Sequence, residues 1–133
     1  MPDPDKAVVL VADSEANVLK SVSSTLGKAG FTVLTAHAAS DVLDLCERRS
    51  APIDLAIVDT AISENSPDVV DRLYGSHPGI RLLFTSAQDR ADAVRQIGRP
   101  GRVREFLQKP FRRSQLLGRV LQVLDTPMAR TAA

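Results

Sequence analysis

Four polar residues with complementary chemistry, Asp13, Asp59, Ser86 and Lys109, each come within two positions of the end of a short apolar run. Two carboxylates that share a site attract a hard divalent cation such as Mg²⁺, which prefers oxygen ligands. A lysine and a hydroxyl beside them suit a phosphoryl group, because both groups bind its oxygens. These residue types predict a site for phosphoryl chemistry, provided that the fold brings them together.

The apolar runs are the elements that must position these residues. Consecutive apolar residues indicate strands that are buried on both faces, as in a parallel sheet covered by helices. Stretches with helical spacing lie between the runs. Five strand candidates alternating with five helix candidates predict an α/β fold with a doubly wound parallel sheet, which binds ligands beyond the carboxyl ends of its strands. The five runs are residues 7–11, 31–34, 55–58, 80–84 and 103–107.

Several residues mark where the helices are expected to begin and end. Gly30 is a stop signal for the first helix. Ser40 is an N-cap candidate for the second helix, and Asp89 for a short fourth one. Ser66 and Pro67 together predict the start of the third helix, with proline at its first position.

Length and composition limit the function classes. The chain has 133 residues, 44% of them hydrophobic, which is enough for one folded domain. We expect that domain over residues 7–125, between a flexible leader at 1–6 and a flexible tail at 126–133. The apolar runs are far shorter than the roughly 18 residues of a membrane span, and no secretion leader opens the chain. The expected setting is cytoplasmic, without a membrane partner.

Other kinds of site are disfavoured. The single Cys46 excludes an internal disulfide and a cysteine-based zinc cluster. No glycine-rich phosphate loop follows the first run, which argues against a nucleotide site. His37 and His77 fall in predicted loops at unrelated places, so we expect both at the surface.

The charge of the chain is uneven. Between positions 90 and 119 there are nine basic residues and two acidic ones, although the whole chain carries a net charge of +1. Such a bipolar field can steer an acidic partner, or it can serve solubility alone. Arg99, Arg102 and Arg104 are the expected docking face. Nucleic acid is an unlikely partner, because a base-stacking platform needs more aromatic residues than this chain has.

Four stretches of the sequence resemble a known protein family. The stretch VLVADSEANVLKSVSSTLGKAGFTVLTA and the later DLAIVD, LLFTSA and EFLQKPF are similar to the receiver domain of two-component response regulators. FLQKPF followed by a Leu-rich final helix also resembles the receivers of hybrid histidine kinases. The resemblance implies the flavodoxin-like (βα)5 fold, with strand order 2-1-3-4-5.

The resemblance also implies a role for individual residues. Asp59 matches the aspartate that accepts a phosphoryl group from a phosphohistidine, and Lys109 matches the lysine that contacts the phosphoryl oxygens. Ser86 matches the hydroxyl residue that moves to the phosphoryl group on activation, and Phe106 the aromatic residue whose rotamer follows it. Pro110 resembles the family's cis proline. The implied donor is a histidine kinase or a phosphotransfer protein.

The chain departs from the family pattern at the metal site. The family has two adjacent acids after the first strand, whereas this chain has Asp13 followed by Ser14 at these positions. Asp13, Asp59 and the backbone carbonyl of Ala61, with Glu15 nearby, are the remaining Mg²⁺ ligands that the resemblance implies. The missing acid is expected to weaken Mg²⁺ binding. Ser14 is also an N-cap candidate for the first helix.

Two functions therefore stay open. One is a receiver that is phosphorylated on Asp59, with a homodimer allowed through the fourth predicted helix, the fifth strand and the last helix. The other is a pseudo-receiver, an interaction module that signals without phosphate, which Ser14 favours. The loop TAISENSPD after Asp59 also lacks the family's proline- and glycine-bearing signature.

Overall fold

The computed structural model describes residues 7–97 and 105–125, which form five strands and six helices. The strands are β1 Val8–Ala12, β2 Thr32–Ala36, β3 Leu55–Asp59, β4 Arg81–Ser86 and β5 Phe106–Gln108. The helices are α1 Ala16–Lys28, α2 Ala39–Arg48, α3 Thr60–Asn65, α4 Val69–Ser76, α5 Arg90–Ile97 and α6 Arg113–Asp125. None of the helices in these ranges combines the length and hydropathy needed to cross a membrane.

The five strands form one sheet in the order β2-β1-β3-β4-β5, and every pair is parallel. This is the doubly wound sheet that the sequence predicts. All five residues of β3 are buried, because the strand lies in the middle of the sheet between two helical layers. Its uninterrupted apolar run is what a strand covered on both faces requires.

The helices divide into two layers that cover opposite faces of the sheet. Alternate residues of β1 point to opposite sides, so Leu10 belongs to one buried cluster and Val9 to the other. The first cluster includes buried side chains of α2, α3, α4 and α5. The second is closed by α1 and α6. This division matches the right-handed crossovers of a doubly wound fold.

The turn after α1 confirms the predicted stop at Gly30. The residue has a φ of 101°, a conformation that side-chain-bearing residues rarely adopt. The amide of Gly30 donates to the carbonyl of Gly27 at 3.1 Å, and the amide of Phe31 donates to Leu26 at 3.1 Å. These bonds satisfy the last carbonyls of the helix and deliver Phe31 into the core before β2 begins.

Two of the predicted N-caps, those of the first and second helices, are wrong by one and two residues. Glu15, not Ser14, occupies the N-cap of α1, and Ala38, not Ser40, that of α2. Neither helix has a side-chain cap bond. At α2, the carboxylate of Asp41 in the first helical turn instead reaches back toward the N-terminus. It accepts from the amide of His37, the residue before the N-cap, at 3.0 Å. The predicted cap Asp89 is correct, and its Oδ1 accepts from the amide of Asp92 at 2.9 Å.

The Ser66-Pro67 pair does not begin a helix at Pro67. The sequence pattern did not predict α3. Ser66 is the C-cap of that helix, and its amide donates to the carbonyl of Ile62 at 3.1 Å. The next helix, α4, begins only at Val69, with Asp68 at the N-cap. Pro67 thus lies in the short turn between two helices.

The expectation that His77 lies at the surface is also wrong. This residue caps the C-terminus of α4 and is buried. Its Nε2 is 3.1 Å from the carbonyl oxygen of Ala51, in the segment between α2 and β3. This contact gives one of the two ring nitrogens a main-chain partner, while Nδ1 is buried without a hydrogen bond to the described residues. His37 is exposed, as expected.

Candidate functional site

The end of β1 holds a carboxylate in a fixed orientation. Asp13 follows the strand directly and is only 2% exposed. Its backbone amide continues the ladder to β2 by donating to Ala36 at 3.0 Å. Its Oδ1 accepts from the amide of Glu15 at 2.9 Å, which leaves Oδ2 to face the sheet edge. The side chain is therefore held by the turn that leads into α1.

The end of β3 holds a second carboxylate. Asp59 is the last residue of the strand and also the N-cap of α3. Its Oδ2 accepts from the amide of Ala61 at 3.2 Å, and Oδ1 is left to face Asp13 and the end of β5. Aspartate at an N-cap satisfies one of the free amides of the first helical turn.

A lysine joins the two carboxylates. The Nζ of Lys109 lies 2.7 Å from Oδ2 of Asp13, 3.1 Å from Oδ1 of Asp59 and 3.6 Å from Oε1 of Glu15. The side chain is 11% exposed. The peptide bond between Lys109 and Pro110 is cis, as the resemblance implies. The ammonium group therefore serves as the shared counter-ion of a largely buried acid pair.

The same contacts set the ionisation of the site. Burial raises the pKa of the Asp59 carboxyl above its ordinary value, and the hydrogen bond and charge of Lys109 oppose this rise without cancelling it. Burial lowers the pKa of the Lys109 ammonium, but its hydrogen bonds to Asp13 and Asp59 outweigh this and leave the pKa raised. The lysine thus stays charged, while ionised Asp59 carries an unfavourable burial energy.

The hydroxyl of Ser86 lies at the same edge of the sheet but is turned to its own loop. Ser86 is the last residue of β4, is buried, and accepts at Oγ from the amide of Gln88 at 3.0 Å. Its carbonyl accepts from the amide of Lys109 at 2.7 Å, which ties the ends of β4 and β5 together. Among the described residues, Lys109 is the side chain that contacts both carboxylates, whereas the hydroxyl of Ser86 is bonded within its own loop.

Phe106 is buried beneath this edge. It pairs in register with Phe84 of β4 and belongs to the same cluster as Ile62 of α3. β5 spans Phe106–Gln108 rather than the predicted run 103–107, of which residues 103 and 104 lie outside the described part. Arg99, Arg102 and Arg104, the expected docking face, also lie outside it.

The donor set fits a hard cation with few protein ligands. The carboxylates of Asp13 and Asp59 both contact the ammonium group of Lys109. The two carboxylates therefore lie close enough together to share one cation. Ser14, where the family has its second acid, is exposed. Among residues 7–97 and 105–125 no group of three or more acidic, histidine or cysteine side chains is arranged for a metal. Weakened Mg²⁺ binding because of Ser14 stays a prediction.

A cavity of about 560 Å³ opens beside Lys109, and the sequence did not predict it. One wall is α1, with Val18 and Val22. The other is the segment after β5, with Pro110 and Phe111. The apolar stripe of α1 includes Val18 and Val22, but the cavity also needs the segment after β5, whose position the sequence does not show.

The family of the chain follows from its sequence and its fold. Residues 9–121 match the response regulator receiver domain family, and the chain belongs to that family. The transcriptional regulator NtrC of Rhizobium meliloti is 28% identical over 126 residues, which is 93% of this chain and 25% of NtrC. The chain spans a quarter to about half the length of the curated relatives it matches.

Solved structures share the fold. A response regulator from Thermotoga maritima has a TM-score of 0.76 and 26% identity, over 91% of this chain and 99% of its own. A response regulator from Burkholderia pseudomallei, solved with a phosphorylated aspartic acid, a calcium ion and citrate, has a TM-score of 0.73. It covers 95% of this chain and 71% of its own, and at 19% identity it supports the fold alone.

Proposed function

We propose that this receiver domain accepts a phosphoryl group on Asp59 from the phosphohistidine of a histidine kinase or phosphotransfer protein. The observation that carries the proposal is the meeting of Asp13 and Asp59 at the Nζ of Lys109, within 3.1 Å. Two carboxylates and one lysine at the carboxyl edge of a parallel sheet are suited to phosphoryl transfer, which needs positioning and charge neutralisation more than covalent help.

The transfer exchanges one bond to phosphorus for another. A carboxylate oxygen of Asp59 attacks the phosphorus atom in line with the leaving imidazole nitrogen, the O–P bond forms and the N–P bond breaks. The bonding electron pair returns to the imidazole nitrogen of the donor. Lys109 neutralises charge on the equatorial oxygens during this step, because its ammonium already lies 3.1 Å from the attacking carboxylate.

The family implies Mg²⁺ at this site. Asp13, Asp59 and the carbonyl of Ala61 are the residues that would hold the ion, and Ser14 in place of an acid weakens its binding. When bound, the ion neutralises charge on the phosphoryl oxygens. The Burkholderia pseudomallei regulator, which shares the fold, was solved with both a phosphorylated aspartic acid and a calcium ion.

Phosphorylation would then act through Ser86 and Phe106. The Oγ of Ser86 gives up its bond with the amide of Gln88 to donate to a phosphoryl oxygen, and Phe106 moves into the space that it leaves. This shift selects between two states that exist beforehand. The expected readout is a changed partner face, either the arginines 99, 102 and 104 or a homodimer through α5, β5 and α6, in a cytoplasmic signalling pathway.

The second candidate is a pseudo-receiver that binds its partner without phosphate. The exposed Ser14 favours it, because the metal site then has one negative charge fewer. Retention of Asp59, Ser86 and Lys109 favours the phosphorylated form.

Incubation with acetyl phosphate and Mg²⁺, followed by intact-protein mass spectrometry, separates the two functions. The proposal expects one added phosphoryl group on the wild-type protein and none on the Asp59→Asn variant. No adduct at any Mg²⁺ concentration, with Ser14→Asp also unmodified, would rule out the phosphoacceptor function.

A further inference from the structure

Strand β2 lies at one edge of the sheet and is paired on one side only. The amide of Thr32 and the carbonyl of Ala36 both form hydrogen bonds toward β1, each at 3.0 Å. Because backbone groups alternate along a strand, the amides and carbonyls of Val33 and Thr35 point away from β1. Among the described strands, none pairs with this outer side of β2.

β2 lacks the features that protect an edge strand. Edge strands in soluble proteins are commonly very short, charged, interrupted by proline or covered, because open backbone groups recruit a further strand. The sequence TVLTA has five residues without charge or proline, and it pairs with β1 at five successive positions. The opposite edge differs, because β5 has three residues and the guanidinium of Arg119 donates to the carbonyl of Phe106 at 2.5 Å. β2 is therefore the less protected edge.

We propose that β2 pairs antiparallel with the β2 of a second copy of this chain, which joins the two sheets into one sheet of ten strands. A two-fold axis through Leu34 places Val33 opposite the partner's Thr35, and Thr35 opposite the partner's Val33. Each of these pairs exchanges two hydrogen bonds, so every outward amide and carbonyl of both residues obtains a partner. Since β2 carries no charge, identical strands meet without like-charge repulsion.

Leu34 lies at the centre of this contact. Its side chain is half-buried and packs against the first buried cluster, on the face of the sheet that α2 covers. Residues that face each other between two hydrogen-bonded pairs have Cα atoms about 4.5 Å apart, so the two Leu34 side chains contact each other across the axis. The contact covers apolar surface that the single chain leaves partly exposed.

Helix α2 offers complementary charges on the same side of the molecule. Asp41, Leu45 and Arg48 are spaced i, i+4 and i+7, so they share one face of α2. Glu47 points the opposite way and bonds Arg72 of α4 at 3.3 Å, whereas the carboxylate of Asp41 accepts from the amide directly after β2. The face of Asp41 therefore lies on the β2 side. The two-fold axis makes the two α2 helices antiparallel and brings Asp41 toward the partner's Arg48.

This interface is separate from the homodimer through α5, β5 and α6, which would use the opposite edge of the sheet. It does not depend on phosphorylation, because the antiparallel arrangement directs the two Asp59 sites away from each other at opposite ends of the joined sheet. Two strands of five residues bury less than the about 1,200 Å² of a stable interface, so we expect a weak dimer with a Kd of about 100 μM.

Cysteine cross-linking tests the register. In a Cys46→Ala background, Leu34→Cys should form a disulfide-linked dimer on mild oxidation, because a Cα separation of about 4.5 Å lies in the disulfide range. Thr35→Cys is the matched control. It is more exposed than Leu34, but its two copies lie two positions out of register, about 7–8 Å apart, which is too far for a disulfide. Equal cross-linking of both variants, or none of Leu34→Cys, would overturn the proposal.

A second pair of variants tests the hydrogen bonds without a cysteine. Thr35→Pro removes an outward amide and leaves the ladder to β1 intact, at a position where an edge strand accepts proline, whereas Thr35→Ala keeps the amide. In analytical ultracentrifugation up to about 1 mM, the wild type and Thr35→Ala should dimerise alike, and folded Thr35→Pro at least about tenfold more weakly. A dimer that Thr35→Pro leaves unchanged would contradict the proposal. So would a wild type that stays monomeric, which would leave this edge to a strand of a different protein.

Discussion

Replacement of Lys109 by methionine removes the one cation that two buried carboxylates share. The side chains of Asp13 and Asp59 are 3% and 10% exposed, and the ammonium lies 2.7 and 3.1 Å from them. Removing one partner of a buried ion pair costs about 3–5 kcal/mol of unfolding free energy, because the remaining charge is left uncompensated. We expect Lys109→Met to lose about 3 kcal/mol, the lower end, because Asp59 can relieve the repulsion by binding a proton.

The loss should depend on pH in a definite direction. In the native protein burial raises the pKa of Asp59, and Lys109 opposes that rise, so the variant has a still higher pKa at this carboxyl. A folded-state pKa above the unfolded value means that the folded state binds more protons, and stability is lost as pH rises through the folded pKa. Lys109→Met should therefore be closer to the wild-type stability at pH 5 than at pH 8.

Urea denaturation followed by far-ultraviolet circular dichroism measures both effects. Lys20→Met, at an exposed position of α1, is the matched control and should change stability by less than about 0.5 kcal/mol. If Lys109→Met behaved like Lys20→Met, or lost the same free energy at pH 5 and pH 8, Lys109 would not be the counter-ion that stabilises the two buried carboxylates.

Three further predictions follow from single positions. Ser14→Asp should tighten Mg²⁺ binding about tenfold by calorimetry, and Ser14→Ala should not; equal affinities would mean that the ion binds elsewhere. Gly30→Ala should lose about 1 kcal/mol in urea denaturation because of its positive φ, whereas Gly27→Ala, a helical position with open space, should gain a similar amount; a gain at both would contradict the turn. Phe84→Ala, fully buried, should lose about 3–5 kcal/mol, and a loss no larger than that of exposed Leu121→Ala would contradict the core.

The sheet was predictable because its strands carry a strong signal. Residues 55–58 are apolar at every position, which only a strand between two helical layers requires. The ends of the strands were harder to predict. β4 continues beyond the apolar run through polar Thr85 and Ser86, which pair with Leu107 and Gln108 of β5. Ser86 is therefore the last residue of β4 and not part of the following loop.

The acid pair and its lysine were predictable because parallel strands end at one edge. Asp13 follows β1 and Asp59 is the last residue of β3, and these two strands are neighbours, so the order of the strands alone brings the carboxylates together. The sequence could not predict which atoms pair, because Glu15 and Lys109 reach the site through turns whose geometry depends on the fold.

Helix α3 and the buried His77 were missed for a different reason. A six-residue helix has little periodicity of its own, and the residues of α3 are stabilised by the Asp59 cap and by the packing of Ile62. His77 carries no local signal for burial, because the carbonyl of Ala51 that it meets is 26 residues away in the chain.

Localisation of the phosphoryl group is the most direct test that Asp59 is the acceptor. After treatment with acetyl phosphate and Mg²⁺, borohydride reduction converts an aspartyl phosphate into homoserine, which tandem mass spectrometry locates in the sequence. Homoserine at position 59, absent from protein that received no phosphodonor, is the predicted result. Homoserine at another aspartate, with position 59 intact, would contradict the account.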